Sequence, residues 1–236
     1  MNFKKPTFTF FTVAIACLAI GCIEKQDARN FTPFETEELD ACLAVTIDLS
    51  GSFSRDWQAD GKAHRLFTNL IGQFFNDGMG TDSRLIIGQI SGNGDMLLFD
   101  GTATEFMRKF DSPEAFNQFL ASNSDPAGSK VYESFSQVLR YVNSIPEAGP
   151  STRMMLVSLS DLLDNDASFN DWDDVSDALG TPLSEFASRG GGIAMYFVNR
   201  NEKPKWRSFL QSAGFKPGTF TIETGLVETP QLPSFD

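Results

Sequence analysis

The sequence predicts one α/β domain built on a mainly parallel sheet with helices on both faces, and three observations support this. Short apolar runs alternate with segments of helical periodicity across residues 40–225. Two of those runs, Met154 to Leu159 and Gly192 to Val198, are apolar almost throughout, as strands covered on both faces require. Two runs lead into an aspartate, Asp48 and Asp161, at the carboxyl edge where open α/β sheets bind ligands.

The elements follow in order. Cys42 to Asp48 reads as the first strand, with Cys42 a small buried filler near its start. Asp60 to Asp77 reads as a helix, because Ala63, Phe67, Leu70, Ile71, Phe74 and Phe75 share one stripe. Ser83 to Ser91 and Asp95 to Phe99 are strand-like runs split by Gly92-Asn93-Gly94, a hairpin turn signal. Ser112-Pro113 supplies an N-cap and a first-turn proline to a helix carrying Phe116, Phe119 and Leu120. After Ser129, the residues Val131, Phe135, Val138, Val142 and Ile145 recur at steps of four and three, which makes one apolar helix face. Met154 to Leu159 is the next strand, and Thr181-Pro182 reads as the opening of another helix. Gly192 to Val198, Lys205 to Ala213 and Thr219 to Ile222 then give strand, helix and strand; no internal repeat is present.

The chain divides into four parts. Residues 1–21 carry Lys4 and Lys5 and then an uncharged run from Phe8 to Ile20, too short for a hydrocarbon core of about 30 Å and laid out as a secretory signal. Leu18-Ala19-Ile20-Gly21-Cys22 resembles the lipobox of bacterial lipoproteins, with Ala19 where leucine is usual, and implies a lipid on Cys22. Residues 22–39 read as the lipidated cysteine and a polar tether, residues 40–225 as the domain, and residues 226–236 as a tail. With Cys17 removed and Cys22 acylated, Cys42 stands alone and no intramolecular disulfide forms. The formal charge is −12, and −14 without Lys4 and Lys5, which excludes nucleic acid and anionic lipid surfaces as natural partners.

The chemistry is concentrated after the first strand. In Asp48-Leu49-Ser50-Gly51-Ser52, one carboxylate and two hydroxyls stand at alternate positions of a loop that Gly51 helps to turn. An all-oxygen set suits a hard cation: magnesium first, with manganese or calcium as alternatives.

This loop, in its alternating context, resembles the metal-ion-dependent adhesion site of von Willebrand factor A (vWA) domains, whose motif is Asp-x-Ser-x-Ser. The resemblance spans about residues 40–225 in element order. It implies a six-stranded sheet of order 3-2-1-4-5-6 with the third strand antiparallel at the edge. It also implies further ligands at Ser129, where the family more often has threonine, and at Asp161. The implied metal set is therefore Asp48, Ser50, Ser52, Ser129 and Asp161, and the implied role is binding, not catalysis. A cation so held would bridge to an Asp or Glu carboxylate of a protein partner, in adhesion or assembly at the cell envelope. Ile23 after the lipidated cysteine lacks the aspartate of inner-membrane retention, which points to the outer membrane in a Gram-negative host.

Other features read more plainly. Asp164, Asp166, Asp171, Asp173, Asp174 and Asp177 form a solvated acidic stretch, since Phe169 and Val175 stand where a calcium loop needs glycine and glutamate. Trp57 reads as a core cap or as a contact residue on the binding face, and His64, the only histidine, as a surface or packing residue. A magnesium-dependent phosphotransferase of the haloacid-dehalogenase kind would need an acid where Ser50 stands. A metal-free vWA scaffold is the other alternative.

Overall fold

Six runs of mainly aliphatic residues pair into one sheet: β1 (Ala41–Ile47), β2 (Ser83–Gln89), β3 (Leu97–Gly101), β4 (Arg153–Leu159), β5 (Gly192–Tyr196) and β6 (Phe220–Ile222). The computed structural model describes residues 37–51, 53–58, 61–76, 82–90, 95–124, 128–165 and 172–225. The signal segment with Cys22, most of the tether, the 92–94 turn, Ser52 and the tail lie outside the described residues. The sheet order is β3-β2-β1-β4-β5-β6, with every pair parallel except the β2–β3 edge.

Period-2 alternation sorts the side chains to two cores. Leu43, Val45, Ile47, Leu85, Ile87 and Val157 point to one face. There they meet α1 (Lys62–Asn76), α2 (Ala103–Lys109) and α3 (Pro113–Ser122). Cys42, Ala44, Ile86, Met154, Leu156 and Met195 point to the other. That face is covered by α4 (Val131–Asn143), α5 (Trp172–Ser188) and α6 (Lys203–Ser212). The stripe Val131, Phe135, Val138, Val142 and Ile145 is buried as its spacing predicts. Burial of each such side chain favours folding by about 1.5–3 kcal/mol. Gly88 lets α4 approach closely, because a Cβ there would lie 2.6 Å from Val138 Cγ2.

Two helices differ from the sequence reading. α2 was not read from the sequence, although Thr102 and Glu105 form a reciprocal capping box at its start. α5 begins at Trp172 and runs through Pro182, which is not its opening residue. Proline has no N–H to give the carbonyl four residues back. The Ala178 carbonyl instead accepts from Ser136 Oγ on α4 at 2.8 Å, so the helix continues.

The end of the tether is held against the domain. The Leu39 N–H donates to the Glu147 carbonyl at 2.9 Å, and the Leu39 carbonyl accepts from Thr152 Oγ1 at 2.8 Å. Cys42 is 1% exposed, and burial pushes its thiol up to about 12, as suits an inert filler. No helix among the described residues is long and apolar enough to cross a membrane.

Candidate metal centre

The β1–β4 pairing places the Asp48 loop beside the end of β4. Ile47 is in register with Leu159, and the Asp48 N–H donates to the Leu159 carbonyl at 3.0 Å. Asp48 shares the parity of Cys42 and Ala44, and Ser160 that of Met154 and Leu156, so both belong to the α4 face. Asp48 is fully buried.

Its carboxylate is ringed by donors. Oδ1 accepts from the Ser50 N–H at 2.9 Å and from Ser129 Oγ at 3.3 Å. Oδ2 accepts from Ser160 Oγ at 2.8 Å. Ser50 and Ser129 are buried as well, 2% and 3% exposed. The structure thus brings together Asp48, Ser50 and Ser129 from the sequence-predicted set. Ser52 and Cys22 lie outside the described residues.

Ser129 reaches Asp48 because of the turn before α4. Gly128 there has φ of 142°, a left-handed value that side chains rarely adopt. The loop after β4 clamps this turn from the other side. The Asn165 N–H donates to the Ser129 carbonyl at 3.0 Å, and Asp164 Oδ1 accepts from the Val131 N–H at 3.2 Å. Asp164 therefore caps α4, a role beyond that of the solvated stretch in which the sequence placed it.

Asp161 follows Ser160 on the same loop and is partly buried. Its Oδ1 accepts from the Leu163 N–H at 3.0 Å. Burial, with the nearby Asp48 charge adding to it, raises its carboxyl above the usual carboxylate range against that hydrogen bond. Leu162 between them has φ of 58° with its side chain fully buried, so core packing holds the loop in a strained conformation.

Among the described residues neither Asp48 nor Asp161 forms an ion pair with a lysine, arginine or histidine. No three His, Cys, Asp or Glu side chains converge among the described residues either. A cation here would draw on two carboxylates and a set of serine oxygens, which is a fit for a hard divalent ion and a poor one for soft metals.

Sequence reasoning missed Ser160. Its hydroxyl bridges Asp48 to the Leu162 N–H, from which it accepts at 2.9 Å. No local signal marks it, because its place beside Asp48 follows from the register of β1 on β4, in which Ser160 stands one residue beyond the partner of Ile47. Trp57 is buried against Phe67, ring centroids 5.9 Å apart, and is a core cap as one of its two readings held. His64 is 8% exposed and is a packing residue.

Sheet order, helix layers and the carboxyl-edge site define a vWA-like α/β fold. The SpRpn10 VWA domain superposes with TM-score 0.52 at 12% identity, covering 82% of this chain and 91% of that one. The pilus adhesin SpaC from Lactobacillus rhamnosus GG matches with TM-score 0.52 at 13% identity, over 81% of this chain. The match spans only 29% of that adhesin's length. At these identities the likeness is one of fold. No protein-family model matches the chain, and no curated protein matches its sequence.

Proposed function

We propose that this domain binds a protein partner through a divalent cation held by Asp48, Ser50, Ser129 and Asp161, with Ser52 completing the loop. The observation that carries the reading is two neighbouring carboxylates, Asp48 fully buried and ringed by serine hydroxyls and Asp161 partly buried, with no basic side chain among the described residues in an ion pair with either. Burial, with the Asp48 charge adding to it, disfavours the ionised form of Asp161, and a bound cation reverses that. When bound, the ion supplies a Lewis-acidic point that an Asp or Glu of the partner can occupy.

The chain's own groups do the positioning. Ser160 fixes the Asp48 carboxylate from below the site, and Asp164 and Asn165 hold the turn that presents Ser129. The hydroxyls of Ser129 and Ser160 donate to the Asp48 carboxylate and orient it, which is the support a cation ligand needs. The fold likeness to a pilus adhesin is consistent with adhesion or assembly at a cell envelope. Tethering by a lipid on Cys22 belongs to the same proposal, and Cys22→Ser should move the protein from the membrane fraction to the soluble fraction.

A metal-free scaffold is the second reading, and one observation favours it. Ser129 and Ser160 already satisfy both Asp48 oxygens by hydrogen bonds. Magnesium and manganese titration calorimetry on the full chain, with Asp48→Ala and Ser50→Ala beside it, separates the two. Saturable binding lost in both variants supports the cation site. A folded native chain that binds neither ion supports the scaffold.

A further inference from the structure

Among the described residues only Leu162 and Phe197 hold a positive φ without being glycine, and both lie in loops at the carboxyl edge of the sheet, after β4 and after β5. Phe197 has φ of 70°, which is costly for a large side chain and persists only where its surroundings impose it. The consequence is a change of face. Along β5, Ile193 and Met195 point to the α4 side of the sheet, and Ala194 and Tyr196 to the α1 side. An extended chain would send Phe197 to the α4 side. It packs instead on the α1 side with Tyr196, and Val198 returns to the α4 side, where it is buried.

That turn brings the ring to the loop after β1. Phe197 meets Phe53 edge-on, with ring centroids 5.4 Å apart and planes at 69°. Phe53 is buried, and its N–H donates to the Ser50 carbonyl at 3.1 Å, which closes the Asp48 loop. The backbone on either side of Phe197 holds the other loop of the candidate centre. The Tyr196 carbonyl accepts from the Ser160 N–H at 3.3 Å, and the Asn199 N–H donates to the Asp161 carbonyl at 2.9 Å. The Val198 N–H donates to the Glu223 carbonyl at 3.0 Å, so the same segment is anchored to the chain after β6. One strained position thus joins the loop of Asp48 and Ser50 to the loop of Ser160 and Asp161. A ligand set works only when its members are held within about 0.5 Å of their geometry, and neighbours locked by packing supply that hold. We propose that Phe197 is a positioning residue for the cation site, an inference that rests on the cation reading above. Its ring seats the Asp48 loop through Phe53, and its backbone turn sets Asp161 through Asn199.

Two measurements on the full chain test this, amide hydrogen exchange by NMR in chelator and magnesium calorimetry. The Ser50 N–H, which donates to Asp48 Oδ1 at 2.9 Å, reports the Asp48 loop, and the Val45 and Leu156 amides report the sheet interior. Phe197→Leu keeps an apolar side chain and removes the ring. It should speed Ser50 exchange roughly tenfold or more while the Val45 and Leu156 rates stay at native values. Magnesium affinity should fall roughly tenfold. Phe53→Leu should reproduce both effects, and the double variant should lose no more affinity than either single one, because one contact is removed in all three. Phe197→Tyr keeps the ring and should leave both readouts native. An unchanged Ser50 rate in Phe197→Leu, or a rise shared equally by Val45 and Leu156, overturns the proposal. So does native magnesium affinity in a variant whose Ser50 amide exchanges faster. A native chain that binds no magnesium removes the cation reading, and the rates taken in chelator then decide by themselves whether Phe197 holds the Asp48 loop.

Discussion

At the scale of single residues, Asp48 holds a carboxylate with no exposed surface by donors alone: one backbone N–H and two serine hydroxyls. Each hydrogen bond to an ionised group contributes about 1.5–3 kcal/mol, and losing one leaves the charge less compensated. Ser160→Ala should therefore destabilise the fold by about 2 kcal/mol. It should also weaken magnesium affinity by roughly 10- to 100-fold, the usual effect of removing a group that orients a ligand. Thermal melting reads the first effect and calorimetry the second. A full stability loss with unchanged affinity would make Ser160 a structural residue only. The Asp48 loop was legible from the end of the first strand, whereas Ser129 and Asp161 were placed in the ligand set only by the family resemblance, and their part in holding a cation is the proposal made above. Ser160 was not legible, since its neighbour is decided by the parallel register of β1 on β4 and nothing local encodes that register. Asp164 was obscured by its own surroundings: among several acids, composition cannot show which one reaches the Val131 N–H.

At the scale of elements, Pro182 separates what propensity says from what packing allows. Proline favours a first turn, and Thr181-Pro182 therefore reads as a helix start. The helix passes through because Ser136 on α4 takes the Ala178 carbonyl that proline leaves without a donor. Asn143 Nδ2 donates to the Pro182 carbonyl at 2.9 Å, which ties the same two helices again. The pairing of α4 with α5 was invisible to a reading that treats each helix alone. A double-mutant cycle tests the account. Ser136→Ala should cost about 1–2 kcal/mol in the native chain. It should cost near zero beside Pro182→Ala, whose restored N–H serves the carbonyl. Chemical denaturation of the four proteins measures the coupling, and independent costs would refute the link. By contrast α2 was within reach of the sequence, because Thr102-x-x-Glu105 is a capping box that needs no tertiary contact. The strands read well because continuous apolar runs stand between helical stripes, while their order, which the sheet matches, came from the family resemblance and not from the runs.

At the scale of the molecule, the sheet carries its candidate site at the carboxyl edge of β1 and β4 and an ion-pair network at the opposite end. Arg84 near the start of β2 grips Asp100 of β3 with two bonds of 2.6 Å each, and its third nitrogen donates to Glu147 at 3.1 Å. Tyr141 of α4 also donates to Asp100. This network joins the antiparallel edge strand to the C-terminal end of α4. Burial alone would raise the Asp100 carboxyl, but the hydrogen bonds from Arg84 and Tyr141, with the Arg84 charge, outweigh it and hold the carboxyl below its ordinary range. A carboxylate whose folded value is depressed contributes stability above its unfolded value and loses that contribution as the pH falls through the folded one. Asp100→Asn should thus cost about 2 kcal/mol at pH 7, with both partners less than a quarter exposed at their side chains. The gap between native and variant should begin to close below the ordinary value of 3.8 and continue closing toward lower pH. Denaturation midpoints taken across that acid range measure it. A gap that stays constant would mean that Asp100 acts through the shape of its hydrogen bonds and not through its charge.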